Sequence, residues 1–206
     1  MKEIILEHPL IKHKLSILRS VNTGTKEFRE LTSEIAMILT YEAMREVKTE
    51  TINITTPTTD MQGYYIDENE YGFVPILRAG LGMIDGVLRI MPNARIGHIG
   101  MYRDEETLEP KSYYFKLPDN VRTVFLLDLM LATGGSAEAS IQKLKEAGIK
   151  NIIFICIVAA PEGIKRIKQT HPDVQIYSAA LDEKLNDIGY IVPGLGDAGD
   201  RIFGTK

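Results

Sequence analysis

An aspartate, a glycine-rich loop with two hydroxyls, and a pair of arginines are the residues of this chain whose types and spacing could do chemistry. Asp128 follows the apolar run Val124-Phe125-Leu126-Leu127; Leu129-Met130-Leu131 come next, then Ala132-Thr133-Gly134-Gly135-Ser136. The residues from Ala137 to Ala147 carry a helical pattern. A strand, a glycine-bearing turn and a helix aim free backbone N–H groups at an anion. Gly134 and Gly135 allow a sharp turn and a close approach of phosphate to the backbone, while Thr133 and Ser136 add hydroxyl donors. Asp128 is expected where a parallel strand ends, the edge at which open α/β sheets bind ligands. A nucleoside-triphosphate loop would carry Gly-Lys-Ser/Thr; Gly-Gly-Ser without lysine points to a single terminal phosphate. An ordinary strand-to-helix turn with a serine cap has the same outline.

Tyr71 to Leu77 forms a second short strand, running into Arg78-Ala79-Gly80-Leu81-Gly82 and then a helix. Arg78 stands at the turn, where a forked guanidinium can clamp phosphate oxygens. The spacing Gly80-x-Gly82-x-x-x-Gly86, with Asp104 further on, also fits a loose dinucleotide fingerprint, and with it an NAD-type oxidoreductase. That reading crowds the pyrophosphate turn with Arg78 and leaves the Thr133–Ser136 loop without a role. Two anion loops at one sheet edge suit one ligand with a phosphate at each end. A sugar with a 5-phosphate and a 1-diphosphate fits, its hydroxyls facing Asp128. Mg²⁺ would neutralise the diphosphate while keeping several waters, so it needs few protein carboxylates.

Helices are expected over Pro9–Arg19, Thr25–Arg45, Gly80–Met91, Ala137–Ala147 and Pro161–Gln169. Strands are expected over Lys48–Thr56, Gly63–Asp67, Tyr71–Ile76, Arg95–Tyr102, Val121–Asp128, Ile152–Val158 and Val174–Ala179. This alternation predicts an α/β fold with a mostly parallel sheet flanked by helices. The polar, proline-interrupted stretch from Asp104 to Pro118 reads as a long excursion, a β-hairpin arm serving as a lid or a subunit contact. From Asp182 onward the chain reads as glycine-rich and irregular.

At 206 residues the chain suits one domain, spanning 1–206, with the arm at about 103–117 and a C-terminal segment at about 182–206. Its 24 basic and 28 acidic residues leave a net charge of −4, which offers no global field for nucleic acid or an anionic membrane. Cys156 sits within an apolar run and reads as a small core hydrophobe. No disulfide can form within the chain, the N-terminus lacks a signal-peptide core, and no apolar run reaches membrane-spanning length; the expectation is a cytoplasmic protein. The four histidines, His8, His13, His98 and His171, show no metal-ligand spacing.

With both loops in view the chain resembles the uracil phosphoribosyltransferase family of type I phosphoribosyltransferases along essentially its whole length. The resemblance rests on Pro75 to Gly82, Tyr102-Arg103-Asp104-Glu105, Asp128 to Ser136, and Tyr190-Ile191-Val192-Pro193-Gly194-Leu195-Gly196-Asp197-Ala198-Gly199-Asp200-Arg201. It implies a phosphoribosyltransferase-type sheet with a hairpin arm and an irregular C-terminal hood over the base. It implies a pentosyltransferase of pyrimidine salvage: uracil and 5-phospho-α-D-ribose 1-diphosphate (PRPP) give UMP and diphosphate, with Mg²⁺. On this pattern Arg78 and Arg103 hold the diphosphate. Asp128 meets the ribose hydroxyls, and Leu129, Met130, Leu131, Ala132, Thr133, Gly134, Gly135 and Ser136 form the donor-binding loop. Ile191, Gly196, Asp197 and Ala198 form the uracil site, with Asp197 also facing the donor. No protein residue is assigned as a direct metal ligand. A homodimer or higher homo-oligomer is expected, and the family pattern admits GTP as an effector. Where the family has proline after the acid of the phosphate motif, this chain has Leu129. A phosphoribosyltransferase-like, nucleotide-responsive RNA-binding regulator is the alternative; it would need a basic face.

Taken without the family pattern, several of these residues read more plainly. Asp197 and Asp200 could brace a glycine-rich loop by Asx turns, Arg103 could be a solvated charge, and Tyr113-Tyr114-Phe115 reads as packing.

Overall fold

The computed structural model describes residues 2–103 and 110–205. Strand β1 (Glu3–Ile5) leads into helix α1 (Pro9–Arg19). Proline occupies the first turn of α1, and His8 caps it, its Nδ1 accepting the Leu10 N–H at 3.1 Å. Ile11, Leu15 and Leu18 form the buried stripe of α1, and Phe28, Leu31, Ile35 and Leu39 that of α2 (Thr25–Ala43). Strands β2 (Glu50–Thr55) and β3 (Asp60–Tyr65) pair with each other as an antiparallel hairpin outside the main sheet.

Strand β4 (Tyr71–Leu77) is followed by a 3-10 turn (Ala79–Met83) and the short helix α3 (Ile84–Ile90). Strands β5 (Arg95–Ile96), β6 (His98–Arg103), β7 (Pro110–Lys116) and β8 (Thr123–Leu131) lead to α4 (Gly135–Glu146). Then come β9 (Asn151–Ala159), α5 (Pro161–Thr170), β10 (Gln175–Leu181), β11 (Lys184–Leu185), β12 (Ile191–Val192) and α6 (Ala198–Phe203).

The main sheet has eight strands, in the order β1-β10-β9-β8-β4-β6-β7 with β5 beside β4. All its pairings are parallel except β6 with β7. Parallel sheets bury both faces. Along β8, Phe125, Leu127 and Leu129 join the layer with α1, α2, α3 and α6, while Val124 and Leu126 join the layer with α4 and α5. Phe73 stacks on Phe125 at 4.8 Å between ring centroids, tying β4 to β8 at the centre.

The predicted fold class holds, with corrections at β1, at the start of the helix after β4, in the C-terminal segment and at β2–β3. β1 was not predicted; its three residues gain a strand only by pairing along β10. The helix predicted over Gly80–Met91 begins as a 3-10 turn, in which Gly80 and Gly82 press against neighbours that leave no room for a side chain. The C-terminal segment is not irregular throughout, since β11 pairs with β12 and α6 follows. The excursion after Arg103 returns as β7 and pairs antiparallel with β6 from Arg103↔Pro110 to His98↔Lys116, which is the β-hairpin expected there. Residues 104–109, on which the lid expectation falls, lie outside the described residues. The hairpin standing clear of the main sheet is β2–β3, where sequence reading saw two separate strands. Every residue of β2 is exposed, as are Met61, Tyr64 and Tyr65 on β3.

Candidate active site

Strands β4, β6 and β8 run parallel, so their carboxyl ends gather on one edge, which brings Arg78, Arg103 and the loop after β8 together. β8 continues through Leu131, so Asp128 lies inside the strand and not at its end. Alternation places it after Val124 and Leu126 on the face that α4 covers. Its Oδ1 accepts the Leu129 N–H at 2.8 Å. Burial pushes the Asp128 carboxyl up to about 7, against the pull of the Leu129 and Met130 N–H groups. Cys156 pairs with Asp128 in the ladder; it is fully buried, and its thiol is pushed up to about 12 by desolvation, which makes it the inert core residue expected.

Asp128, Met130, Leu131, Ala132, Thr133, Gly134, Gly135, Ser136 and Ala137 line one cavity of about 190 Å³. That is below the ~300–1,000 Å³ of pockets for drug-sized ligands and suits a small anion. Gly134 caps α4 with φ +80°, ψ −2°. A Cβ there would sit 3.1 Å from the Gly163 carbonyl oxygen. Glycine is required at this position for its left-handed backbone. Gly135 differs: it begins the helix, and a Cβ on it would make only ordinary contacts, at 3.6 Å from an Arg166 guanidinium nitrogen and 3.8 Å from Thr133 Oγ1. Its smallness matters only for a ligand's approach. The first-turn N–H groups of α4 have no carbonyl within the helix to bond, and they face this cavity.

Sequence reading missed two glycines here. Gly189, at φ +84°, overhangs the loop, and a Cβ on it would lie 3.9 Å from Thr133 Cγ2. Gly163 lets α5 press against the loop's back, where a Cβ would meet the Ala132 carbonyl oxygen at 2.5 Å. Gly189 follows no apolar strand, and Gly163 follows β9 but lies inside the first turn of α5 rather than in a glycine-rich loop, so the packed structure identifies both.

Arg78 follows the Leu77–Arg78 peptide, which is cis. Its guanidinium is exposed, 3.9 Å from Asp200 Oδ1 and 6.0 Å from the Phe203 ring centroid. Arg78 therefore reaches from the β4 turn to α6. The glycines after it answer the dinucleotide reading. A Cβ on Gly80 would lie 2.5 Å from the Leu127 oxygen, on Gly82 1.9 Å from Ile202 Cδ1, and on Gly86 2.0 Å from the Ser33 oxygen. Protein fills the space that a pyrophosphate would need. The acid of that fingerprint, Asp104, lies outside the described residues. Arg103 closes β6, three positions past Gly100, the partner of Leu77; for Arg103 the description extends to its backbone. The Tyr113 ring lies across Gly100, while Tyr113, Tyr114 and Phe115 all remain exposed.

The C-terminal segment folds over this edge. Ile191 and Ala198 are buried, while Gly196 and Asp197 face solvent beside them. Asp197 caps α6, its Oδ1 accepting the Asp200 N–H at 2.9 Å, which is the bracing role open to it from sequence. Asp200, and not Asp197, is the carboxylate nearer Arg78. Among the described residues no protein group takes up the main-chain N–H of Gly196 or Ala198, so both can serve a ligand. No cluster of three or more potential metal-ligating side chains occurs among the described residues. A larger cavity, about 610 Å³, lies at the opposite edge, where Thr123, Asn151 and Gln175 begin their strands; it is remote from these groups. No helix among the described residues is long and apolar enough to cross a membrane.

Comparisons with known proteins show the family and the fold. The family model for uracil phosphoribosyltransferase matches residues 5–205. A uracil phosphoribosyltransferase of Streptococcus mutans is 58% identical over 204 residues, which is 98% of each chain. One from a Geobacillus species is 56% identical over 207 residues, covering 100% of this chain and 99% of that one. Among solved structures, the AQ2163 protein from Aquifex aeolicus has a TM-score of 0.93 at 40% identity, covering 99% of both chains. An adenine phosphoribosyltransferase from Trypanosoma brucei, solved with AMP, pyrophosphate and ribose 5-phosphate, has a TM-score of 0.57 at 13% identity over 95% of this chain and 88% of that one; it shares the fold.

Proposed function

The chain belongs to the uracil phosphoribosyltransferase family, pentosyltransferases that convert uracil and PRPP to UMP and diphosphate, and we propose that the two loops and the C-terminal hood divide that reaction between them. The observation that carries this division is the cavity formed by Asp128 and the loop from Ala132 to Ser136 at the N-terminus of α4, with Gly189 of the hood above it. The loop holds the 5-phosphate through the first-turn N–H groups of α4 and the Thr133 and Ser136 hydroxyls. Asp128 accepts the ribose hydroxyls. Arg78 and Arg103 hold the diphosphate, and Arg78 exchanges its long contact with Asp200 for the stronger, forked contact with phosphate oxygens.

Displacing diphosphate builds positive charge on the ribose ring, so the leaving group's charge must be stabilised and the base held in line. Uracil is held by main-chain groups of Ile191, Gly196 and Ala198, with Asp197 between base and donor. Mg²⁺ would neutralise the diphosphate when bound. With no cluster of metal-ligating side chains among the described residues, it would be held through diphosphate oxygens and water.

We further propose a cytoplasmic homodimer or higher homo-oligomer. Support comes from the β2–β3 hairpin, since an isolated two-stranded hairpin is at best marginally stable in water and this one exposes Ile52, Ile54, Met61, Tyr64 and Tyr65. The test of the reaction is UMP formation from PRPP with uracil, run beside cytosine and the purine bases, with and without GTP. Cytosine presents an amino donor where uracil has an acceptor, and sites built on such bonds reject the wrong partner strongly. The expected result is clear preference for uracil; comparable kcat/KM for cytosine would contradict the base site.

A further inference from the structure

Gly194 lies at the bend of the hood between Ile191 and Gly196, with φ +61° and no room for a Cβ, which would fall 2.1 Å from the Ile191 oxygen. Both of its main-chain polar groups are taken by side chains from elsewhere. The Gly194 N–H donates to Asp182 Oδ2 at 2.8 Å, and its carbonyl accepts from an Arg19 guanidinium nitrogen at 2.6 Å. Arg19 and Asp182 are themselves joined by two parallel hydrogen bonds, at 2.7 and 2.6 Å. The Asp182 side chain is only 5% exposed and that of Arg19 22%. Arg19 is the last residue of α1, more than half the chain away from its partners. A second clasp lies beside the first. Arg201 donates to the Leu195 carbonyl at 2.8 Å and to the Ser20 carbonyl at 2.6 Å, with its guanidinium 4.5 Å from the Phe28 ring centroid.

A free glycine bend would sample many conformations. Here a planar fork and a carboxylate hold its N–H and C=O in one geometry, leaving the neighbouring N–H groups of Gly196 and Ala198 for the base. We infer that the half-buried Arg19–Asp182 pair is the positioning device for uracil: it fixes the hood's main chain in its base-binding shape and so sets affinity for the base, while touching neither substrate. This rests on the proposed placement of uracil at Ile191 to Ala198.

The test is steady-state kinetics on the full-length chain, varying uracil and PRPP separately, with Arg19→Lys and Asp182→Asn. Lysine keeps the charge and loses the fork; asparagine keeps the shape and loses the charge. Each should raise KM for uracil by about 10-fold or more, the effect of losing a charge-assisted bond. KM for PRPP should stay within about 3-fold, and amide hydrogen exchange should quicken in residues 191–196 while β8 and β9 stay protected. Gly196→Val, which alters the base-facing surface itself, is the control. If it raises KM for uracil while Arg19→Lys and Asp182→Asn do not, the pair has no positioning role and the inference is overturned. If Gly196→Val also leaves KM for uracil unchanged, the base site is misplaced and the inference falls with it. Parallel rises in both KM values with a lowered Tm would overturn it in favour of general destabilisation.

Discussion

The phosphate cradle and the base hood lie side by side yet are built in opposite ways. The cradle is local: Asp128, the loop from Ala132 to Ser136 and the first turn of α4 follow one another along the chain, with β8 on one side and a helix N-terminus on the other. The hood is remote-built. Its shape depends on Arg19, Ser20 and Phe28, which lie at the other end of the chain, and on Arg29, which donates to the Ile202 carbonyl at 2.7 Å. A phosphate needs N–H groups and charge, which any strand-loop-helix supplies. A flat base with a donor–acceptor pattern needs a main chain held in one conformation, and six-residue α6 with a two-residue strand pair cannot hold it alone.

The two regions should therefore fail differently. The largest effect is expected at Gly134. With φ +80° and the Gly163 oxygen at 3.1 Å from a Cβ, Gly134→Val strains the backbone and distorts the loop. Such strain costs about 1–3 kcal/mol before any lost contact. KM for PRPP should rise by about 100-fold, read in the PRPP dependence of UMP formation, with KM for uracil little changed. Gly135→Ala, one residue on, meets no such strain, and its Tm should match that of the unmodified chain; an equal loss at both positions would erase the distinction drawn between them.

Next comes Arg78→Ala. Losing a charge-assisted, forked contact is worth about 1.5 kcal/mol or more, so kcat/KM for PRPP should fall by at least about 10-fold. UMP, which lacks the diphosphate, should bind as before in a calorimetric titration.

A smaller and pH-dependent effect is expected at Asp128. Its folded-state pKa of about 7 lies above the ordinary carboxylate value, so the folded chain keeps a proton that the unfolded chain releases. Stability should fall as pH rises from about 4 to about 7 and then level off, while PRPP use should rise over the upper part of that range as the carboxylate forms. Asp128→Asn should remove both slopes attributable to this group. The smallest effect belongs to Leu129→Pro. Proline has no N–H, so the 2.8 Å bond to Asp128 Oδ1 disappears and the Asp128 pKa should move further upward, shifting the PRPP pH profile in the same direction. Leu129 thus supplies a donor that a proline at this position could not.

This division also explains what was legible beforehand. The cradle could be read because apolar run, glycine turn and helix are consecutive, and Gly134 announces its backbone need through residue type alone. Asp128 was placed at the strand's end because Leu129, Met130 and Leu131 could be read either as loop or as strand; pairing with β9 extends the strand through Leu131. The Gly80–Gly82–Gly86 pattern stayed open as a rival for a related reason, since glycine that admits a ligand and glycine that admits Ile202 or α2 look alike in one dimension. The hairpin expected after Arg103 forms as β6–β7, but the second one, β2–β3, was missed because its β-branched residues read as ordinary sheet. Arg19 carried no signal, because its partners come from the far end of the chain.

The central claim is that the cradle governs the donor and the remotely braced hood governs the base. It is tested most directly by measuring KM for PRPP and KM for uracil in parallel for Gly134→Val and Gly194→Ala. The account predicts a crossed pattern, in which the first variant loses PRPP and keeps uracil while the second loses uracil and keeps PRPP. Matching losses of both substrates in both variants, in protein that remains folded, would contradict it.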